Sequence, residues 1–111
     1  MGVPVKGEVV VLPFPFSDLS SNKCRPALVL AVPRPDEILV CQITSQTTRP
    51  EYVIPLANSD FATGGLKNPS YIRPNHIFLA DPSIVHFAAG IIKPEKLQEV
   101  LNKVMDILID K

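Results

Sequence analysis

Twelve prolines divide this 111-residue chain into short apolar segments, and this pattern restricts the fold more than any other feature of the sequence. Proline has no N–H to donate and fixes its own φ angle, so it interrupts helices and is confined to the ends, edges and bulges of strands. The segments between the prolines are rich in β-branched and apolar residues, as in GEVVVLPF (7–14), ALVLAV (27–32) and ILVCQI (38–43). Such runs predict short strands joined by proline-containing turns.

Polar loops and turn residues separate these three segments. SDLSSNK (17–23) follows the first strand, PRPDE (33–37) joins the second to the third, and TSQTTRP (44–50) follows the third. The second and third strands are therefore expected to pair as a hairpin. Four further short strands are predicted at 52–55, 70–73, 76–79 and 84–92, the middle two separated by Pro74, with a long connection at 58–69.

The end of the chain changes to a helical period. Pro94 is a favourable first helical residue, and apolar side chains then recur at steps of three and four, with charged residues between them. The apolar positions are Leu97, Val100, Leu101, Val104, Met105 and Leu108. We predict a single domain over residues 1–111 of the mainly β (α+β) class: a small antiparallel barrel or curled sheet closed by one amphipathic C-terminal helix.

Charge and composition restrict the partners and the location of the protein. Eleven basic residues balance eleven acidic ones, so any nucleic-acid site is expected to be a local cluster rather than a generally basic surface. The apolar runs are too short to cross a membrane, and the N-terminal residues lack the pattern of a signal peptide. We therefore expect a cytoplasmic protein without membrane contact.

Few residues are spaced for metal or covalent chemistry. No glycine-rich phosphate loop, zinc-ligand spacing or GxSxG motif occurs, so we expect neither a metal nor a cofactor. Cys24 and Cys41 form no CxxC motif and are expected to be reduced. His76 is expected to be structural. Cys24 is expected to be a small filler, because no histidine lies near it in sequence to activate it, although the fold could bring one beside it.

Arg25 and Thr44 are the candidate functional residues. Arg25 begins the second strand and Thr44 ends the third, so a hairpin places both at one rim of the sheet, with the loops 17–23 and 44–50 as the two lips of a groove. A guanidinium and a hydroxyl suit a phosphate group. The alternative is a solvated rim carrying an ordinary surface arginine. Other polar residues at this rim are Ser20, Ser21, Asn22, Lys23, Gln46, Thr47, Thr48 and Arg49, and Arg73 from a later strand is a further candidate.

Three segments resemble the MazF/PemK family of toxin ribonucleases. They are GEVVVLPFPFSDLSSNKCRPALVL, CQITSQ, and SYIRPNHIFLAD followed by a glycine and the amphipathic helix. They occur in the order found in that family and cover nearly the whole chain. The resemblance implies an SH3-like barrel of the MazF/PemK/CcdB type, a homodimer, and sequence-specific, metal-independent cleavage of single-stranded RNA. It also implies neutralisation by a cognate MazE-like antitoxin.

The resemblance assigns roles to individual residues. It implies that Arg25 and Thr44 are catalytic, that Ser45 and Gln46 contact the substrate, and that Arg73 matches the arginine of a later Arg-x-Asp motif. Asn75 stands where that motif has its acid and cannot act as a carboxylate base. The full set of expected substrate-binding residues is Ser21, Asn22, Lys23, Ser45, Gln46, Thr47 and Arg73.

The implied chemistry is attack of the RNA 2′-hydroxyl on the adjacent phosphorus. Arg25 would neutralise charge on the phosphate, and Thr44 would donate a hydrogen bond to it. The 2′ proton could go to Arg25 or be exchanged through phosphate oxygens. Two other functions stay open: a CcdB-like toxin that binds DNA gyrase without catalysis, and an SH3-like protein-binding module. Neither needs the Arg25–Thr44 pair, and the module would want an aromatic groove that a chain without Trp poorly supplies.

Overall fold

A computed structural model describes residues 3–13, 24–45 and 53–109 of the chain. These residues form seven strands, two short 3-10 turns and one α-helix. The elements are β1 (Glu8–Pro13), β2 (Cys24–Arg34), β3 (Glu37–Thr44), β4 (Ile54–Leu56), a 3-10 turn (Asn58–Asp60), β5 (Phe61–Gly64), β6 (Ser70–Ala80), a second 3-10 turn (Pro82–Ile84), β7 (Phe87–Ile92) and α1 (Pro94–Ile109).

One antiparallel sheet contains all seven strands, in the order β4-β6-β3-β2-β1-β7-β5. Its centre is the β2–β3 hairpin, which confirms the predicted pairing across the turn at 33–37. The two strands at the ends of this order, β4 and β5, both place side chains in the same buried cluster: Ile54 and Leu56 from β4, and Phe61 from β5. The sheet must therefore curl, so that its two edges approach one core.

The sheet has an inner face and an outer face, each with its own buried cluster. We call the inner face the side that carries Val9, Leu28, Cys41, Ile43 and Ile72. Helix α1 packs against this face through Leu97, Val100, Leu101 and Val104. The outer face carries Val10, Leu12, Ala27, Val29, Ile38, Val40 and Phe78. Successive residues of a strand point to opposite faces of the sheet. Because both faces carry a buried cluster, the central strands are apolar at successive positions.

The start of helix α1 forms hydrogen bonds and an ion pair with β4 and with the 3-10 turn before β5, in addition to its packing on the core. The Lys96 ammonium donates to the Pro55 carbonyl of β4 at 3.1 Å and lies 3.7 Å from the Asp60 carboxylate, just before β5. The Lys93 N–H donates to the Asp60 carbonyl at 2.8 Å. The start of the helix thus joins both ends of the strand order, which confirms the predicted curled sheet closed by a C-terminal helix. No helix of the described ranges is long and apolar enough to cross a bilayer.

The structure corrects two predictions about the strands. The segment 58–69 was expected to be a connection, but it contains β5, whose single buried residue is Phe61. Pro74 was expected to break one strand into two, but β6 is continuous from Ser70 to Ala80. Its register against β3 shifts between the Cys41–Ile77 and Gln42–Arg73 pairs, which leaves Pro74 unpaired in a bulge, and a missing N–H is tolerated there.

Candidate functional site

Arg25 and Thr44 line one pocket at the end of the β2–β3 hairpin. The pocket has a volume of about 230 Å³. Ala27 pairs with Gln42 in the hairpin, so the same register continued by two residues sets Arg25 opposite Thr44. Directly opposed residues of antiparallel strands have Cβ atoms about 5 Å apart. The structure therefore brings together the two residues that the hairpin argument placed at one rim, while their catalytic roles stay predictions.

The opposite wall of the pocket comes from the connection between β5 and β6. Leu66, Lys67 and Asn68 lie in it, followed by Ser70 at the start of β6. The Leu66 N–H donates to the Asn58 side-chain oxygen at 3.0 Å, and the Ser70 hydroxyl donates to the Asn68 carbonyl at 3.0 Å. These two bonds tie the connection to the 3-10 turn and to the start of β6, and Lys67 and Asn68 line the pocket together with the hairpin end.

Sequence reasoning did not identify Lys67, Asn68 and Ser70 as site residues. The available signal was the length of the 58–69 segment, because long connections in compact domains are often functional. Nothing in the local sequence assigns that segment to the Arg25 rim, since the assignment depends on β6 pairing with β3.

The charge of the pocket is positive. Arg25 and Lys67 line it, and no Asp or Glu is among its lining residues in the part of the chain that the structure describes. The Arg25 side chain makes no hydrogen bond or ion pair with another residue of the described ranges. Thr44 is half-buried and Ser45 is exposed, so hydroxyl groups accompany the cations. Such a set of donors suits an anionic group such as a phosphodiester.

Arg73 is not among the residues that line this pocket. Its guanidinium donates to the Gln42 side-chain oxygen at 3.3 Å, and Gln42 is buried on the strand that Arg73 pairs with. The substrate-binding role of Arg73 stays a prediction. Five other predicted substrate-binding residues lie outside the described residues: Ser21, Asn22, Lys23, Gln46 and Thr47. Most of the two predicted lips, 17–23 and 44–50, lies outside them as well.

Cys24 has a histidine beside it that the sequence did not reveal. Its Sγ lies 3.4 Å from Nδ1 of His86, which is 62 residues away in the chain. Cys24 has no histidine near it in sequence, and the fold brings one beside it. Cys41 is different, because burial raises the pKa of its thiol to about 12 and keeps it protonated.

His76 follows the bulge in β6 and is half-buried. Burial lowers the pKa of its imidazole, and the positive charge of Arg73 lowers it further. Its ring lies 6.3 Å from that of Phe78, in a tilted arrangement. It is not among the residues that line the Arg25 pocket. Among the described residues, no group of three or more His, Cys, Asp or Glu side chains is placed to hold a metal ion.

The chain matches one known protein family over nearly its whole length. The model of a family described as "PemK-like, MazF-like toxin of type II toxin-antitoxin system" matches residues 5–108. No curated protein sequence is matched.

Several solved structures share the fold. An endoribonuclease in complex with its cognate antitoxin, from a mycobacterial species, is 13% identical with a TM-score of 0.73, over 97% of each chain. MazF in a MazE-MazF structure from Deinococcus radiodurans is 22% identical with a TM-score of 0.73, over 100% of each chain. The Mycobacterium tuberculosis toxin MazF-mt6 is 16% identical with a TM-score of 0.69, over 93% of this chain and 96% of its own.

Proposed function

Because the chain belongs to the PemK-like, MazF-like family of type II toxins, we propose that it is a sequence-specific endoribonuclease toxin that cleaves single-stranded RNA at the Arg25–Thr44 pocket. One observation carries this proposal: Arg25, Thr44 and Lys67 line one pocket, and no acidic residue is among its described lining residues. Proteins of the same fold are described as endoribonucleases, which supports the same reaction here.

The proposed reaction is an internal transesterification. The 2′-oxygen of the RNA forms a bond to the adjacent phosphorus, and the bond from phosphorus to the 5′-oxygen breaks. The products are a 2′,3′-cyclic phosphate and a 5′-hydroxyl, and the proton lost from the 2′-oxygen is taken up in the end by the 5′-oxygen. Because the nucleophile belongs to the substrate, this step needs no activated water, and we propose that it is independent of metal ions.

Arg25 and Thr44 act on the phosphate in this scheme. The Arg25 guanidinium offers planar, paired donors to the non-bridging oxygens, where negative charge increases in the transition state. The Thr44 hydroxyl donates to the same phosphate and holds it in line. Preorganised donors of this kind contribute about 3–4 kcal/mol each, which corresponds to about 100-fold or more in rate.

The test is cleavage of single-stranded RNA by the purified protein in EDTA. Arg25→Ala is expected to lose at least about 100-fold in rate. Arg34→Ala is the matched control, because Arg34 is an exposed arginine at the other end of the same strand and should leave the rate unchanged. RNA with a 2′-O-methyl group at the cleavage position should survive, since its nucleophile is blocked. Equal rates for both arginine variants would overturn the assignment of Arg25.

A cognate MazE-like antitoxin, a homodimeric state and a cytoplasmic location complete the proposal. Structures of the same fold contain an antitoxin, and a positive pocket would accept acidic side chains from such a partner. Sedimentation equilibrium gives the mass of the free toxin, and co-purification with the product of an adjacent reading frame tests the antitoxin. The two other functions, gyrase binding and a protein-binding module, predict no RNA fragments in the EDTA assay.

A further inference from the structure

Arg25, Thr44 and Tyr71 form a row across three neighbouring strands, on the outer face of the sheet. Arg25 pairs with Leu12, which belongs to the outer buried cluster. The β2–β3 register, continued, sets Thr44 opposite Arg25, and Thr44 pairs directly with Tyr71 of β6. Directly paired residues of antiparallel strands present their side chains on the same face, with Cβ atoms about 5 Å apart. Tyr71 therefore lies beside Thr44, on the side away from Arg25.

The neighbouring pairs of β3 and β6 support this assignment of faces. Ile43 and Ile72 pair one position earlier in β3, and both belong to the inner buried cluster. Gln42 and Arg73 pair next, and the Arg73 guanidinium donates to the Gln42 side-chain oxygen at 3.3 Å. Arg73 therefore lies on the outer face, two residues after Tyr71 in β6, and adds a second cation beside the row.

The hydroxyl of Tyr71 is an unused hydrogen-bond donor. Tyr71 is half-buried, and its side chain makes no hydrogen bond with another residue of the described ranges. Among the described residues, no buried side-chain nitrogen or oxygen lacks a partner, so this unpaired hydroxyl is in contact with solvent. Tyrosine commonly combines a packed apolar ring with a polar tip in water. The row thus ends in a donor that is available to a ligand.

We propose that Tyr71 binds the RNA strand whose reacting phosphate is held by Arg25 and Thr44, by donating a hydrogen bond from its hydroxyl to a non-bridging oxygen of a neighbouring phosphate. This inference rests on the proposed function, because it assigns a further contact to the same substrate. Neighbouring strands are about 4.8 Å apart, so Tyr71 lies about 5 Å beyond Thr44 and about 10 Å from Arg25.

The surroundings of Tyr71 favour a phosphate contact over base stacking. A stacked base needs an open ring face. The Tyr71 ring is half-buried, whereas its hydroxyl is in contact with solvent. Arg25 and Arg73 on the same face attract a negatively charged group. Tyr71 contacts the strand away from the reacting phosphorus, so it contributes to substrate binding and leaves the chemical step unchanged.

The experiment removes one oxygen atom and keeps the ring. Tyr71→Phe is expected to raise KM by about 10- to 100-fold with an unchanged kcat, because a hydrogen bond to a charged group is lost equally from the ground state and the transition state. A KM equal to that of the unchanged protein would overturn the contact. A loss confined to kcat would overturn it as well, because a merely structural role behind Thr44 would act on the chemical step.

Ser59→Ala is the matched control. Ser59 is exposed in the 3-10 turn beside the start of helix α1, and that helix packs against the inner face. Loss of this hydroxyl should leave KM unchanged. A KM raised as much as in Tyr71→Phe would contradict the proposal, because the effect would then not depend on the row.

A modified substrate identifies the group that Tyr71 contacts. A methylphosphonate linkage replaces one non-bridging oxygen by a methyl group and removes the negative charge. It is placed in turn at each of the two phosphates that flank the cleaved one. At one of these positions the Tyr71→Phe and unchanged proteins should have the same KM, since the contact is already lost. A difference in KM that persists at both positions would refute the phosphate contact.

A binding measurement separates this proposal from the proposed function. The dissociation constant is measured for a 2′-O-methyl copy of the cleaved RNA, or for a random-sequence 2′-O-methyl oligonucleotide if the protein cleaves no RNA. Absence of cleavage together with weaker binding by Tyr71→Phe would refute the catalytic proposal and support the contact. Cleavage together with equal binding by both proteins would refute the contact alone. Absence of both cleavage and binding would refute both.

Discussion

Arg25 and Thr44 should act as one unit, and a double-mutant cycle measures whether they do. The variants are Arg25→Ala, Thr44→Val and the combination of both. Valine has nearly the shape of threonine, so the second change removes the hydroxyl with little change in packing. If both side chains hold the same phosphate, the second substitution should cost far less once the first has been made, because the phosphate is then no longer held in line.

The magnitude follows from the geometry of the hairpin. The continued register sets the two residues opposite each other, with Cβ atoms about 5 Å apart, and both line one pocket of about 230 Å³. Each donor removed should cost about 2.7–4 kcal/mol, or about 10²- to 10³-fold in rate. Independent donors would together lose about 10⁴- to 10⁶-fold. Coupled donors should leave the double variant within about 10-fold of the slower single variant.

The assay is single-turnover cleavage of one end-labelled RNA with enzyme in excess, so that product release does not limit the rate. Thr44→Ser keeps the hydroxyl and should retain most of the activity. Thermal unfolding of each variant checks that the hairpin is intact. Strictly additive losses in the double variant would refute the reasoning, because they would show that the two side chains do not act on a common phosphate.

Three further predictions follow from the same structure. Lys67→Ala should lower the slope of log KM against log salt concentration by about 0.7, the value for one lost phosphate contact on a single strand, whereas Lys6→Ala, before β1, should not. Gly90→Ala should lower the free energy of unfolding by about 1–3 kcal/mol in urea titrations, because the added methyl group collides with the Thr63 carbonyl. His76 has its pKa lowered in the folded state by burial and by a neighbouring arginine, so the neutral form stabilises the fold and this contribution is lost as pH falls below about 6.5. His76→Gln should therefore lose less stability than the unchanged protein between pH 7.5 and pH 5.5, and an equal loss in urea titrations would contradict this.

The central strands and the principal pair of the site could be predicted because the signals are local. Runs of β-branched residues bounded by polar turns gave β1, β2 and β3 to within a few residues. Once the turn at 33–37 joins β2 to β3, the start of one strand must meet the end of the other. Arg25 and Thr44 then lie at one rim, whatever the remainder of the chain does.

The edge strands could not be predicted because their stability comes from distant parts of the chain. FATG (61–64) has three exposed residues of four and forms β5 because β7 lies beside it. Their backbones approach closely at Gly64 and Gly90, where a side chain on either residue would overlap the opposite strand. The predicted break at Pro74 was wrong for a related reason. β3 pairs with β6 on both sides of the bulge, so β6 stays one strand.

The sequence by itself determined the all-antiparallel class, the amphipathic helix and the opposition of Arg25 and Thr44, because each depends on residue types within one strand, helix or hairpin. Only the tertiary structure decided which other groups surround that pair. Lys67 reaches the pocket through the pairing of β6 with β3, and His86 reaches Cys24 across 62 residues of chain. Such contacts depend on the order of the strands and on the curl of the sheet. Both arise when the whole chain buries one common core, so a short stretch of sequence does not predict them.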